Sequence, residues 1–543
     1  MRHALLTTRF TAKPTLHSPR LLVTGRRCPR RSKMSSTAPG RTYEDAIDAL
    51  NTFQTPFAVI EARRKAGVRP DESSVREMKA YWARLGHTPE DLDRLNVVHV
   101  AGTKGKGSVC AFVASILGRH QRRGGQADGR PAGKLKVGLL TSPHLVAVRE
   151  RIRVGAAPLS EASFARYFFE VSDALTGPSA GASLLPDDAE PGSRPIYARY
   201  LTLMALHVFL REGVDVAVVE TGVGGEYDAT NIVAHPAAAG ISTLGIDHVF
   251  VLGDTVDKIA WHKAGIIKGG CPAFAVEQPA FPSAEGVLRA RAAEKGVDLR
   301  VLGVDPRLAA SGVAVRPDAA FQRRNASLAV ALAEAALLRV DREGFQRDGE
   351  RLPAEFKDGI EQVVWRGRCE VKEEEGGRLR WHIDGAHTTD SLKMAARWFA
   401  GANDGRRGPR VLIFNQQGRT EAIDFLDGLH SGAKRDDGSS FDHVVFCTNV
   451  THATTGYKRD FVNHQYDPEA IKKLTVQRTF AERWPSLDPR ANITVIPSIE
   501  EAINVARDLT SSLDEGETVQ AFITGSLHLV GGALGILEGA DAL

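Results

Sequence analysis

The chain has 543 residues, 43% of them hydrophobic and 25% charged, with a formal net charge of +4. That is too long for one ordinary core, and the composition is that of a soluble globular protein. No uncharged apolar run reaches the roughly 20 residues of a membrane-spanning helix, and five scattered cysteines (Cys28, Cys110, Cys271, Cys369, Cys447) without a CxxC pair argue against a disulfide scaffold or a zinc site.

The charge is unevenly spread. Residues 1–33 carry nine Lys or Arg and no acid, and the first acidic residue is Glu44. The rest holds 61 basic against 66 acidic residues, so it does not read as a nucleic-acid-binding body. The Arg-, Ser- and Thr-rich tail has the composition of a mitochondrial presequence. Met34 stands directly behind it as a second start. The expectation is a mitochondrial form and a cytoplasmic form beginning at Met34.

In chain order, residues 43–95 read as helical, interrupted at Pro56 and around Pro70. Leu95–Val100 is a short β-branched run that leads into a glycine-rich turn, and Val109–Leu117 continues with helical periodicity. Strand, glycine loop and helix form the opening unit of a phosphate-binding α/β domain. Further strands are expected at Lys136–Leu140, Val214–Val219, Ala238–Thr243 and Pro272–Val276, with a helix at Tyr197–Leu210. Gln121–Lys134 and Thr176–Pro195 read as surface loops. A second alternating series follows Val363, with strands at Arg380–Ile383, Val411–Asn415, His443–Thr448, Ile493–Ile496 and Val519–Thr524, and a polar loop at Ser431–Ser440. Strands alternating with helices imply mostly parallel sheets wrapped on both faces. The reading is α/β: a presequence over 1–33, a large P-loop-type doubly wound ATPase domain over 34–362, and a smaller Rossmann-like α/β domain over 363–543.

Four segments carry chemistry. In Gly102-Thr103-Lys104-Gly105-Lys106-Gly107-Ser108 the glycines let backbone N–H groups converge on phosphate oxygens, the following helix adds its positive end, and Lys106 neutralises terminal phosphates. The spacing departs from GxxxxGK[ST], because residue 100 is Val and Gly107 separates Lys106 from Ser108. Glu220 ends a very apolar run, where parallel sheets bind ligands. Thr141-Ser142-Pro143-His144 and Gly245-Ile246-Asp247-His248 follow two other strands. Each of these also fits ordinary loop chemistry. Together they offer hydroxyl, carboxylate and imidazole beside a phosphate loop, a set adequate for Mg²⁺, which keeps several of its waters.

The blocks VHVAGTKGKGSVCAF, TSPHLVAVRERI, VVETGVGGEYDATN, LGIDHVFVLGDT, HKAGIIK and IDGAHTTDSL, with the late TGSLHLVGG, stand in one order along residues 43–543. In that order the chain resembles the folylpolyglutamate synthase family, which is related to the Mur ligases. GTKGKGS and DGAHTTDS are similar to the eukaryotic branch. The resemblance implies that Gly102 to Ser108 cradle ATP phosphates, with Gln322 and Asn325 (in FQRRNASLA, where the family often has His at the place of Phe321) contacting the nucleotide. It implies that Ser142, Glu220 and His248 hold magnesium. Arg368 and Asp384 would reach ATP from the second domain, with His387 beside them. Lys263, fifteen residues after His248, would as an ordinary ammonium repel a nearby Mg²⁺. In the related ligases the matching lysine takes up CO₂ as a carbamate, an anion with two oxygen acceptors; a salt-bridged structural lysine is the other reading.

The function implied is an ATP-dependent ligase that activates the γ-carboxylate of a folate as an acyl phosphate and joins L-glutamate to it. Its partners would be reduced folate (poly)glutamates, glutamate and ATP, with no nucleic acid and no transmembrane segment, and it would act as a monomer. Dihydrofolate synthase, or an enzyme with both activities, uses the same chemistry and stays open. A P-loop nucleotide-binding module without ligation is the more distant alternative.

Overall fold

The computed structural model describes residues 41–122, 132–177, 194–417 and 422–543. The basic tail, and parts of the expected loops at Gln121–Lys134 and Thr176–Pro195, lie outside them. Residues 43–93 form four helices, Tyr43–Asn51, Phe57–Lys65, Glu72–Arg84 and Pro89–Asp93. Thr42 starts the first with a capping box, its hydroxyl accepting from Asp45 N while the Asp45 carboxylate accepts from Thr42 N at 2.8 Å.

Two sheets organise the rest. The first runs, edge to edge, Leu299–Leu302, Ala273–Val276, Ala238–Ile241, Val98–Ala101, Val216–Glu220, Val137–Leu140, Ile152–Val154 and Ala157–Pro158. It is parallel except for the last two pairings. Its four central strands are short and buried along their length, as expected when helices cover both faces. One core lies on the side of the Glu161–Thr176 and Tyr197–Arg211 helices, and another under Lys106–Leu117 and Ala320–Val340.

The second sheet runs Glu370–Glu373, Leu379–Asp384, Val519–Thr524, Arg410–Phe414, His443–Val450 and Asn492–Ser498. Only its first pairing is antiparallel. The change from one sheet to the other falls between Leu302 and Glu370. The sequence patterns miss Ile152–Val154 and the edge strands Ala157–Pro158, Leu299–Leu302 and Glu370–Glu373, and the helix Phe425–Ala433 takes the start of the polar stretch read as a loop from Ser431. Edge strands lack the continuous apolar signature of buried ones; the burial of Glu370–Glu373 alternates rather than runs.

The two sheets meet directly. Leu145 packs against the core of the second sheet, and its carbonyl fills the place where a Cβ at Gly531 would stand. Only glycine allows the helix Leu527–Glu538 to approach that closely. Tyr43 Oη and Val148 N both donate to Asp460 Oδ1 at 2.7 Å. The buried His144 donates from Nε2 to Asp460 O at 2.9 Å and accepts at Nδ1 from Arg151 Nε at 3.0 Å. Burial and the adjacent Arg151 push the His144 pKa well below its ordinary value, so this bridge is a neutral one.

Candidate active site

Four neighbouring strands build the site. Laterally they are Ala238–Ile241, Val98–Ala101, Val216–Glu220 and Val137–Leu140. Their carboxyl ends lead into Ser242–His248, the glycine loop, Glu220 and Ser142. The chain leaves Val98–Ala101 toward one side of the sheet and later crosses back to the other. This is a topological switch point, where open α/β sheets bind ligands.

The glycine loop is pinned from below. Thr103 N and Lys104 N both donate to Thr243 O, at 2.9 and 3.0 Å, and Ser242 Oγ donates to Lys104 O at 2.8 Å. Gly105 turns the chain at φ +85° and caps the helix Lys106–Leu117. The helix begins at Lys106, three residues before the apolar pattern that starts at Val109, which brings Lys106, Gly107 and Ser108 into its first turn. The amides of that turn have no intrahelical acceptor and converge on one end, a ready anion site. A Cβ at Gly105 would overlap Oδ1 of the buried Asn325. Gly105→Ala is therefore expected to cost about 2 kcal/mol of stability from left-handed strain and overlap. Urea unfolding measures this, and a loss under about 0.5 kcal/mol would contradict it.

Lys106 Nζ stands 3.9 Å from Glu220 Oε1, and Ser142 N donates to Glu220 Oε2 at 3.1 Å. Glu220 is only 6% exposed. Burial pushes its carboxyl above the usual carboxylate range, opposed by Lys106, the Ser142 amide, Arg368 and Arg151. Such a carboxylate favours more positive charge beside it.

Lys263 is buried and donates from Nζ to Gly102 O at 2.6 Å. Burial and the nearby Lys106 bring its pKa down to about 7, against the pull of Asp247, Asp228 and Glu220. The lysine thus lies among the loop and the strand ends, as its place in the sequence led one to expect. His248 adopts left-handed backbone at φ 51°, is 44% exposed in its side chain, and has Nε2 3.8 Å from Asp247 Oδ2. It stands at the rim rather than in the floor.

Residues from the second sheet complete the crevice. Asp384 ends its strand, buried. Its Oδ2 accepts from Cys369 N and its Oδ1 from Ala386 N, both at 2.8 Å. Burial raises its pKa, and Arg368 is the main opposing charge. Arg368 thus acts on Glu220 of one sheet and Asp384 of the other. His387 donates from Nδ1 to Gly385 O at 2.9 Å. Gln322 and Asn325 are buried and bonded to each other at 2.9 Å; Asn325 lies under the glycine loop and Gln322 is turned to Arg316 O at 3.1 Å.

Sequence reasoning passed over three carboxylates. Asp228 clamps the loop after Glu220, its Oδ2 accepting from Gly222 N and Val223 N and its Oδ1 from Thr230 N and Oγ1. Thr230 in turn accepts from the buried His99 Nε2 at 2.7 Å. The Asp-x-Thr spacing is the local signal that would have found it. Asp247 acts on Lys263. Asp390 pairs with Lys104 at 2.8 Å.

No protein-family model matches the chain. It is 64% identical over 516 residues to the folylpolyglutamate synthase of Neurospora crassa, covering 94% of each chain. It is 40% identical over 507 residues to that of Saccharomyces cerevisiae, covering 92% of this chain and 88% of the relative. Among solved structures, Mycobacterium tuberculosis folylpolyglutamate synthase complexed with ADP and AMPPCP aligns at a TM-score of 0.64 and 24% identity, over 90% of this chain and 99% of that one. E. coli FolC in complex with DHPP and ADP aligns at 0.59 and 22%, again over 90% and 99%. With such identity over nearly its whole length, the chain belongs to the folylpolyglutamate synthase family.

Proposed function

We propose that this chain is an ATP-dependent ligase that adds L-glutamate, in γ-linkage, to reduced folate (poly)glutamates through an acyl phosphate. The observation that carries this is the convergence of the glycine loop, Lys106 and Glu220 at one switch point, with the charge of Arg368 acting on both Glu220 and Asp384 of the second sheet. A nucleotide-binding module without ligation has no use for that second set. The names of the curated relatives favour the polyglutamating reaction over dihydrofolate synthesis.

In the first step a carboxylate oxygen of the folate's terminal glutamate attacks the γ-phosphorus of ATP, and ADP leaves. In the second, the incoming glutamate's amine attacks the acyl carbon, phosphate departs with the C–O electrons, and the amine gives up a proton. The first-turn amides and Lys106 hold the phosphates and absorb charge on the transferring group. Arg368 and Asp384 hold the nucleotide from the facing side, with Gln322 and Asn325 behind the loop. His387, oriented by the bond from its Nδ1 to Gly385 O, is the group assigned to take the amine's proton.

Ser142, Glu220 and His248 would hold Mg²⁺. The donor set fits a hard cation that retains waters, since Glu220 is a buried carboxylate only partly matched by Lys106. When bound, the ion would neutralise charge on the phosphates. Lys263 we assign as a carbamate: its buried, weakly basic amine supplies the neutral form that adds CO₂.

Purified protein with Mg²⁺, ATP and labelled glutamate should release ADP only when a folate is also present, and tetrahydrofolate should yield γ-linked product. ADP release without folate, or product from dihydropteroate alone, would overturn the reading. The acid-free basic tail supports import into mitochondria, with a cytoplasmic form from Met34. A full-length fluorescent fusion is expected in both compartments; a wholly cytosolic signal would refute the presequence.

A further inference from the structure

The two lysines of the glycine loop face different carboxylates. Lys106 lies against Glu220 of its own sheet, whereas Lys104 crosses to Asp390, on the helix Thr389–Ala402 behind the second sheet's Asp384 strand. We infer that Lys104 and Asp390 are a positioning pair for the ligation: their contact seats the Asp384–Ser391 segment on the phosphate loop, and Lys104 is not itself a phosphate ligand. The inference rests on the function proposed above.

Three features carry it. The main chain of Lys104 is held at both ends, by Thr243 O and Ser242 Oγ, so only its side chain has freedom. That side chain lies along Gly245, where a Cβ would meet its Cε and Nζ at 3.8 and 3.9 Å, and ends on Asp390 Oδ2 at 2.8 Å. This course carries the ammonium to the facing sheet's helix.

The receiving segment, in turn, is tied together by hydrogen bonds. Asp384 Oδ1 accepts from Ala386 N at 2.8 Å, His387 Nδ1 donates to Gly385 O at 2.9 Å, and Ser391 Oγ accepts from His387 N and Thr388 N at 3.2 and 3.0 Å. Thr388 caps the helix whose first turn contains Asp390. A pull on Asp390 is therefore passed to Asp384 and His387 as to one piece. Asp390 is 74% exposed in its side chain, and an exposed ion pair of this kind adds little to stability. Its consequence lies in where it places the second sheet's site residues, because reaction rates fall steeply when reacting groups are displaced by an ångström.

The test compares Lys104→Met, Asp390→Asn, Asp390→Glu and the Lys104→Met/Asp390→Asn double variant. ADP affinity in the presence of Mg²⁺, by calorimetry, is expected to stay within twofold of the parent in all four. The kcat for glutamate ligation should fall about tenfold in Lys104→Met and in Asp390→Asn. The double variant should fall no further than either single one, since both remove the same contact, and Asp390→Glu should recover at least half of the parental kcat. A parental kcat in Asp390→Asn would overturn the inference. So would a tenfold loss of ADP affinity confined to Lys104→Met, which would make that lysine a phosphate ligand. Because ADP binding and the parent's own ligation are measured alongside, failure of the pair is distinguishable from failure of the ligase reading.

Discussion

Replacing Lys106 by alanine is expected to reduce kcat/KM for ATP by about a thousandfold or more, with the fold retained. Lys106 is the loop cation that faces Glu220, at 3.9 Å, and the one in the first turn of the helix whose amides form the proposed phosphate site. Both its attraction to the ground-state phosphates and its larger attraction to the transferring phosphoryl group disappear together. The side chain is 17% exposed and packs no core, so little apolar burial is lost. Glu220 loses its leading favourable charge, and its carboxyl, already raised by burial, rises further. The bond from Ser142 N remains to hold it. Steady-state kinetics together with a thermal unfolding midpoint decide the matter. Turnover within tenfold of the parent would remove Lys106 from the chemistry.

Lys263→Ala is expected to cost at least a hundredfold in kcat, and short carboxylic acids added to the buffer should restore part of it. Lys263 is 3% exposed, and its amine donates to Gly102 O at 2.6 Å. Burial and Lys106 bring its pKa to about 7, far below 10.5. Above pH 7 the amine is mostly neutral and can add CO₂, releasing one proton and leaving a carbamate anion. The sign follows: activity should rise as pH rises through about 7, and should rise with bicarbonate at fixed pH. The same shift means that between about pH 7 and 10.5 the unfolded chain binds a proton the folded one does not, so the cost of burying this group is relieved as pH rises across that window. The alanine variant should lose both the bicarbonate response and this part of the pH dependence. A Lys263→Ala enzyme with parental kcat, or one that no carboxylic acid restores, would leave a structural lysine as the better account.

The phosphate loop could be read from local sequence because its chemistry is local. Glycines at 102, 105 and 107, a preceding β-branched run and a following apolar helix all lie within residues 95–117, and short-range backbone geometry follows from them. Central strands such as Val216–Glu220 and Val137–Leu140 are legible for a related reason: burial on both faces favours near-continuous apolar runs. The edge strands carry no such mark. In Glu370–Glu373 the half-buried positions are the charged Glu370 and Lys372, and its strand character comes from the antiparallel partner Leu379–Asp384.

The alternation of strand and helix, the glycine loop, and the family through the order of its motif blocks could all be read from the chain alone. The sequence also named Glu220, Lys263 and Asp384, since each is a polar group at or near the end of an apolar run or within a motif block. Tertiary structure decided which carboxylate faces which lysine. Lys104 and Lys106 are two residues apart in the chain, yet one meets Glu220 and the other Asp390, 286 positions away. The burial that lowers the Lys263 pKa and raises that of Glu220 likewise comes from elements distant in sequence. Charge and desolvation act through space, so their effects on these residues are set by the packing of two sheets and not by the letters beside them.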